Sequence, residues 1–292
     1  MKQNGGSSLR STSMKQINTL VEDIYGLLKN GTTSPNKDYL FGMGSAIMEG
    51  VRRQLWSSTS GRKPMLRMSN LGKPCIRALW YDIKGTHQPE ELSPQTKLKF
   101  MIGDVVEAVV LYLAKEAGHS VEDQQKEIEI DGIRGHIDAR IDGVLVDVKS
   151  SSSYGMKKFK NGTLPEDDPF GYISQMSGYA NALGDTRGTF LAFDKSNGEL
   201  ATYTHTELED TSERIGVVRE ALELEDAPDR PFEPTVDRST KRPKLALNCS
   251  YCAHKMECWK EEDVNLEFKS GRPVFFLGRE KDKPRAKPKN AF

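Results

Sequence analysis

Apolar and polar positions alternate along residues 127–149, from Glu127 through Ile128, Ile130, Ile133, Ile137, Ile141, Leu145 and Val148 to Lys149. A period of two is the mark of half-buried strands. Asp131-Gly132 and Asp142-Gly143 interrupt it as hairpin turns, since glycine accepts the positive φ such turns need. The pattern predicts three consecutive antiparallel strands, with Asp138 on the second and Asp147 and Lys149 on the third. Two positions apart on one strand, Asp147 and Lys149 face the same side of the sheet.

Elsewhere the spacing is helical. Ile17, Leu20, Val21, Ile24, Leu27 and Leu28 predict a helix over 14–28, stopped by Asn30-Gly31, and 39–56 reads as a second. Cys75 follows Pro74 at the start of an amphipathic helix, and a longer helix spans 94–118. Residues 170–183 form another, with Gln175 and Tyr179 one turn apart on one face. Residues 187–193 and 199–206 read as a hairpin, 211–224 as a helix, and the proline-rich 228–248 as a connecting loop. Segments follow from this order: a disordered Gly/Ser-rich 1–13, an N-terminal helical region 14–93 including Cys75, a core 94–226, a cysteine-bearing segment 227–268 and a basic tail 269–292.

Composition adds bounds. The 292 residues fit one large or two small domains, and 36% hydrophobic residues with a mean hydropathy of −0.60 describe a polar surface over one core. No apolar run reaches membrane-spanning length and no signal-peptide pattern is present, so the expectation is a cytoplasmic protein with no membrane partner. The 42 basic and 42 acidic residues cancel, so any footprint for nucleic acid must be local. One such stretch is the tail, with eight Lys and Arg against two acidic residues. Another follows Lys149: Tyr154, Lys157, Lys158, Phe159 and Lys160 interleave basic and aromatic residues, which suits a phosphate backbone and stacked bases as well as it suits a solvated loop.

Asp138, Asp147 and Lys149 carry the candidate chemistry. Carboxylates that share a partly buried site repel unless a cation joins them, and Mg2+ or Mn2+ takes oxygen ligands. Glu107 lies among Val105, Val106, Val109 and Val110, either as an edge residue or as a third ligand, with Asp104 a competitor one turn earlier. His119 and His136 read as bystanders. Four cysteines are too few for a disulfide scaffold, and the spacing of Cys249, Cys252 and Cys258 suits Zn2+ or an iron–sulfur cluster on thiolate softness.

Gly103/Glu107 on a helix, Gly135/Asp138 and Asp147/Lys149 on a strand meander, and Gln175/Tyr179 on a later helix occur in an order that resembles the PD-(D/E)XK nuclease superfamily, in its RecB-like exonuclease branch. Glu107 stands where many relatives carry a histidine. Cys249-x2-Cys252-x5-Cys258 with the distant Cys75 is similar to the iron–sulfur staple of AddB-type nucleases and CRISPR-adaptation exonucleases. The resemblance implies an α/β, restriction-endonuclease-like core with a central mixed sheet flanked by helices, its N- and C-terminal segments joined by a metal cluster. It implies DNA exonuclease activity in recombination, repair or replication. Glu107, Asp138, Asp147 and the Val148 carbonyl would hold Mg2+ or Mn2+. Lys149 would position or help deprotonate a water, Gln175 would orient it, and Tyr179 would pack or touch DNA. Cys75, Cys249, Cys252 and Cys258 would hold a 4Fe-4S cluster, with Zn2+ the alternative and His254 a minor candidate ligand. Two rival classes remain: an inactive or partner-dependent DNA-binding subunit on the same fold, and a metal-stapled interaction module.

Overall fold

The computed structural model describes residues 15–56, 65–269 and 272–278. The expectations for residues 1–13 and for most of the basic tail lie outside these. The chain begins with helices α1 (Leu20–Asn30), α2 (Lys37–Trp56), α3 (Met68–Leu71), α4 (Ile76–Lys84) and α5 (Pro94–Glu116). Gly31 ends α1 at φ 69°, the stop read from Asn30-Gly31. Ser93 caps α5 by accepting from the Thr96 amide, and Pro94 opens its first turn, where a missing N–H costs nothing.

Strands β1 (Val121–Glu122), β2 (Glu127–Ile130), β3 (Ile133–His136), β4 (Ala139–Ile141) and β5 (Val144–Ser151) follow. Both Asp-Gly pairs adopt positive φ at both residues, 49° and 75° at Asp131-Gly132, 50° and 78° at Asp142-Gly143. The expected three-strand meander is corrected here. β2 and β3 form a two-stranded sheet of their own, to which Arg67 adds a single parallel bridge at Arg134, whereas β4 turns back onto β5 in a separate sheet. The chain crosses between the sheets at Ile137-Asp138, so Asp138 sits in a connector and not on a strand.

Helices α6 (Ser153–Asn161) and α7 (Tyr172–Leu183), strands β6 (Gly188–Asp194) and β7 (Leu200–His205), and helix α8 (Thr211–Glu223) complete the core. The stretch after Lys149 is therefore a capped helix, not a loop: Ser152 accepts from the Gly155 amide, Gly162 closes the end, and Met156 and Phe159 are buried. The main sheet has the order β1-β4-β5-β6-β7, with β5 and β6 parallel and the other pairs antiparallel. It is a central mixed sheet flanked by helices. Alternation along β5 divides the core. Val146 and Val148 pack with α1 and α5 on one face. Leu145 packs with α3, α4, α6, α7 and α8 on the other, and period two places Asp147 and Lys149 on that second face.

Two glycines mark places where backbone leaves no room. A Cβ on Gly135 would lie 2.6 Å from Met68 Cβ and 3.0 Å from a Tyr179 ring carbon. One on Gly171, at φ +73°, would lie 1.6 Å from the Gly72 carbonyl oxygen, so the start of α7 presses on the α3–α4 turn.

Beyond α8 the expected loop is instead part of a small second sheet. β8 (Thr235–Val236), β9 (Pro243–Lys244), β10 (Asn265–Lys269) and β11 (Arg272–Phe276) pair in the order β10-β11-β9-β8, with α9 (Leu247–Ser250) and α10 (Lys255–Cys258) inserted. Leu245, Trp259 and Leu277 form its core, against which Cys249 and Cys258 pack. This segment is tied to the N-terminal helices through polar contacts. His254 Nε2 lies 2.7 Å from Asp82 Oδ1, and His254 Nδ1 lies 2.9 Å from His87 Nε2. Lys255 pairs with Glu90, whose amide donates to Ala253 at 2.9 Å. No helix among the described residues is long and apolar enough to cross a membrane.

Because Met68 and Tyr179 both crowd Gly135, Gly135→Ala should cost roughly 1–3 kcal/mol, the usual penalty for overpacking. Denaturant unfolding checks this. An unchanged midpoint would mean that the crowding relaxes without cost.

Candidate active site

The site grows from β5. Asp147 and Lys149 are neighbours on one face, and their side chains close to 2.7 Å between Oδ2 and Nζ. Asp147 is only 3% exposed, while Lys149 is half-buried. The Lys149 ammonium also donates to Gln175 Oε1 at 3.2 Å, and Gln175 Nε2 donates to the Tyr179 hydroxyl at 2.9 Å. Tyr172 adds its ring, with the centroid 4.5 Å from Lys149 Nζ. Tyr172, Gln175 and Tyr179 are spaced by three and four, so α7 presents them as one stripe.

Asp138 reaches the same place from its connector. Its Oδ2 accepts the Val148 amide of β5 at 2.7 Å. Glu107 comes from α5 and its Oε1 accepts from Gln125 Nε2 at 2.7 Å. Gly103, one turn before Glu107, faces Ser150 of β5, where a Cβ would make an ordinary contact at 3.7 Å with the Ser150 hydroxyl. Asp104, the competitor for Glu107's role, is occupied elsewhere: it accepts from Arg53 at 3.2 Å and Gln54 at 3.3 Å of α2.

The electrostatics show three carboxylates in conflict. Burial, then Asp147, then Glu107 hold the Asp138 carboxyl well above its ordinary range, and Lys149 and the Val148 amide offset this only in part. Burial and the neighbouring Asp147 and Asp104 push Glu107 up to about 6, against the hydrogen bond from Gln125. Burial pulls Lys149 down, but Asp147 and Asp138 more than reverse it, leaving the ammonium stabilised. The ammonium is therefore the favoured form of Lys149 in this arrangement. Burial raises the Tyr179 hydroxyl as well, with Asp147 and Asp138 adding to it. Among the described residues no group of three or more His, Cys, Asp or Glu is arranged to hold a metal ion. The oxygen donors Glu107, Asp138 and Asp147 nevertheless suit a hard divalent cation, whose charge would relieve the mutual repulsion.

The remaining predicted residues are spread more widely. On α6, Lys157 and Tyr154 are exposed, but Lys158 lies 2.7 Å from Asp167 Oδ2 and Lys160 pairs with Glu199 at 2.5 Å. Phe159, the second aromatic of that stretch, is 3% exposed and packs on Phe190 with the rings tilted, so it is core and does not present a face for bases. His119 is buried between Asp23 and Asp142, and His136 is exposed on β3, both outside the cluster. His254, which sequence spacing made a minor metal candidate, is engaged with Asp82 and His87. Cys75, Cys249, Cys252 and Cys258 are half-buried free thiols within electrostatic reach of one another. Burial, then the nearby Cys75, pushes the Cys249 thiol up to about 11. Among the described residues the contacts joining the two segments include the His254 and Lys255 pairs, the Glu90 amide on the Ala253 carbonyl, and Arg77 of α4, which donates to the Ala227 and Pro228 carbonyls. Tyr172 was not among the residues singled out from sequence. Its spacing of three before Gln175 on an amphipathic helix was the available signal.

No protein-family model matches the sequence, and no curated protein matches it. Among solved structures the chain is similar to SSO0001, at 14% identity and a TM-score of 0.41, over 77% of this chain and 98% of that one. It is similar to the alkaline exonuclease LHK-Exo from Laribacter hongkongensis at 16% identity and a TM-score of 0.39, over 56% and 90% of the two chains. It is also similar to a phage-related exonuclease from Haemophilus somnus 129PT at 13% identity and a TM-score of 0.27, over 71% and 89%. These values are low, and the function proposed below rests on this chain's own residues.

The raised Glu107 sets a pH dependence. Its folded value of about 6 exceeds the unfolded 4.5, so its contribution to stability is fully present below pH 4.5 and is lost as pH rises through 6. In chelator-treated protein, unfolding free energy should fall by about 2 kcal/mol from this group across that window. Glu107→Gln should flatten the slope, leaving the part due to Asp138. A slope identical in the variant would show that Glu107 is not held in the cluster.

Proposed function

We propose that the chain is a divalent-metal-dependent nuclease that hydrolyses phosphodiester bonds of DNA, acting as an exonuclease on DNA ends in recombination, repair or replication. The observation that supports this reading is the convergence of Glu107, Asp138 and Asp147 with the ammonium of Lys149 in one half-buried cluster. Burial, and then the neighbouring carboxylates, drive Asp138 and Glu107 toward protonation. Such an arrangement is costly for stability and is explained by a cation that it exists to bind. Glu107, Asp138, Asp147 and the Val148 carbonyl would hold Mg2+ or Mn2+. Such an ion, when bound, would supply a water of lowered pKa and positive charge for the phosphate.

The chain's own groups do the rest. The Val148 amide fixes the orientation of Asp138. Lys149, favoured as ammonium, would position the attacking water and place positive charge where the attacked phosphate oxygen gathers negative charge. Gln175 orients Lys149 through Oε1 and is itself oriented by Tyr179. Lys157 and Tyr154 stand exposed at the start of the helix that follows β5 and offer a phosphate contact and a stacking face. With Lys158 and Lys160 paired internally, their share of DNA binding is smaller than their charges suggest.

End-labelled single- and double-stranded DNA incubated with Mn2+ or Mg2+ should release nucleotides with the wild type. Asp138→Ala and Lys149→Ala should lose this by at least a hundredfold, in line with removal of groups acting on the transition state. Binding of DNA without cleavage by the folded wild type would replace this reading with that of an inactive or partner-dependent DNA-binding subunit.

The four cysteines carry a separate part of the proposal, a 4Fe-4S cluster with Zn2+ as the alternative. Its support is that thiols from both ends of the core lie within one another's fields, on a donor set suited to soft metals. Its role would be to brace the C-terminal segment against α4. Elemental analysis of anaerobically purified protein should find iron or zinc, and Cys75→Ser or Cys258→Ser should remove it. Because the thiols must lose protons to bind, metal should also leave on acidification. Absence of both metals from the wild type would contradict the assignment and leave the four residues as small core side chains.

A further inference from the structure

Lys149 has three N–H donors and a long, flexible stem. One side of its ammonium meets the Asp147 carboxylate at 2.7 Å and another meets Gln175 Oε1 at 3.2 Å. The third meets the face of Tyr172, 4.5 Å from Nζ to the ring centroid. That ring is itself fixed. Phe170 lies 5.6 Å from it and Phe190 6.5 Å, centroid to centroid. Phe170 in turn meets Tyr251 of the cysteine-bearing segment at 6.2 Å, while Asn248 of the same segment donates to the Pro169 carbonyl at 3.0 Å. The close approach of Gly72 to Gly171 sets where the first turn of α7 begins, and Tyr172 is its first residue.

We propose that Tyr172 is a positioning residue of this site: its ring holds the Lys149 ammonium between Asp147 and Gln175. The catalytic consequence rests on the nuclease reading above. The need for the ring follows from the double duty of Asp147. A carboxylate that helped hold a divalent cation would have less charge to offer Lys149, so the ion pair would slacken with the cation bound. The ring and Gln175 then remain to keep the ammonium in place. A neutral ring does this without competing for the cation, whereas another carboxylate would add to the repulsion already present among Glu107, Asp138 and Asp147.

Two variants separate the ring from its hydroxyl. Tyr172→Phe keeps the aromatic face and should retain activity within about twofold, whereas Tyr172→Leu should lower kcat about tenfold with KM for DNA little changed, the size expected from losing a partly desolvated cation–π contact. Equal activity of Tyr172→Leu and wild type would overturn the proposal. So would a Phe variant as impaired as Leu with a raised KM, because the hydroxyl would then be a DNA contact. A second measurement needs no catalysis. In a stability cycle of Lys149→Met, Tyr172→Leu and the double variant, the two changes should be non-additive, since they remove one contact. Additive effects would overturn the contact itself. Non-additivity in a protein that never cleaves DNA would preserve the contact while rejecting the nuclease reading.

Discussion

Asp147 and Lys149 stand two positions apart on the central strand, 2.7 Å between charges, on the face that α7 covers. A buried carboxylate of this kind needs a partner, and its own strand provides one by simple alternation. The surrounding structure serves to keep that pair in place. β5 is held by parallel pairing to β6 and antiparallel pairing to β4, so its register, and with it the direction of both side chains, is fixed from two sides. α7 then brings Tyr172, Gln175 and Tyr179 over the lysine, and its position depends on the glycine contact at Gly72 and Gly171.

Around this pair the site is a balance between attraction and repulsion. One ammonium faces three carboxylates, so burial leaves Asp138 and Glu107 driven toward protonation. An arrangement selected for stability alone would have placed an apolar residue at one of these positions. The excess of negative charge gives the site a task, and it fixes the sort of occupant that relieves it: a hard cation with oxygen ligands.

Much of this was legible in the sequence because it rests on short-range rules. The two Asp-Gly turns adopt the positive φ that their residues predict, and the alternation of 144–149 correctly places Asp147 and Lys149 on one face. The i,i+4 relation of Gln175 and Tyr179 appears as a direct hydrogen bond. What failed depended on contacts distant in sequence. Nothing local tells that the β2–β3 hairpin leaves the main sheet and strands Asp138 on the crossing. Ser152 and Gly162 mark α6 as a helix, but the run of four serines at 150–153 and the three lysines at 157, 158 and 160 read equally as a polar loop. The small sheet of β8–β11 was invisible because two of its strands are two residues long. The Asp82–His254–His87 link joins groups that only the folded chain brings together.

The central claim is that Glu107, Asp138 and Asp147 form a site for a divalent cation. Titration of chelator-treated protein with Mn2+, followed calorimetrically, tests it without any assumption about substrate. The account predicts saturable binding by the wild type that Asp147→Asn abolishes or weakens severely while the protein stays folded. Equal binding by the variant, or none by a folded wild type, would contradict it.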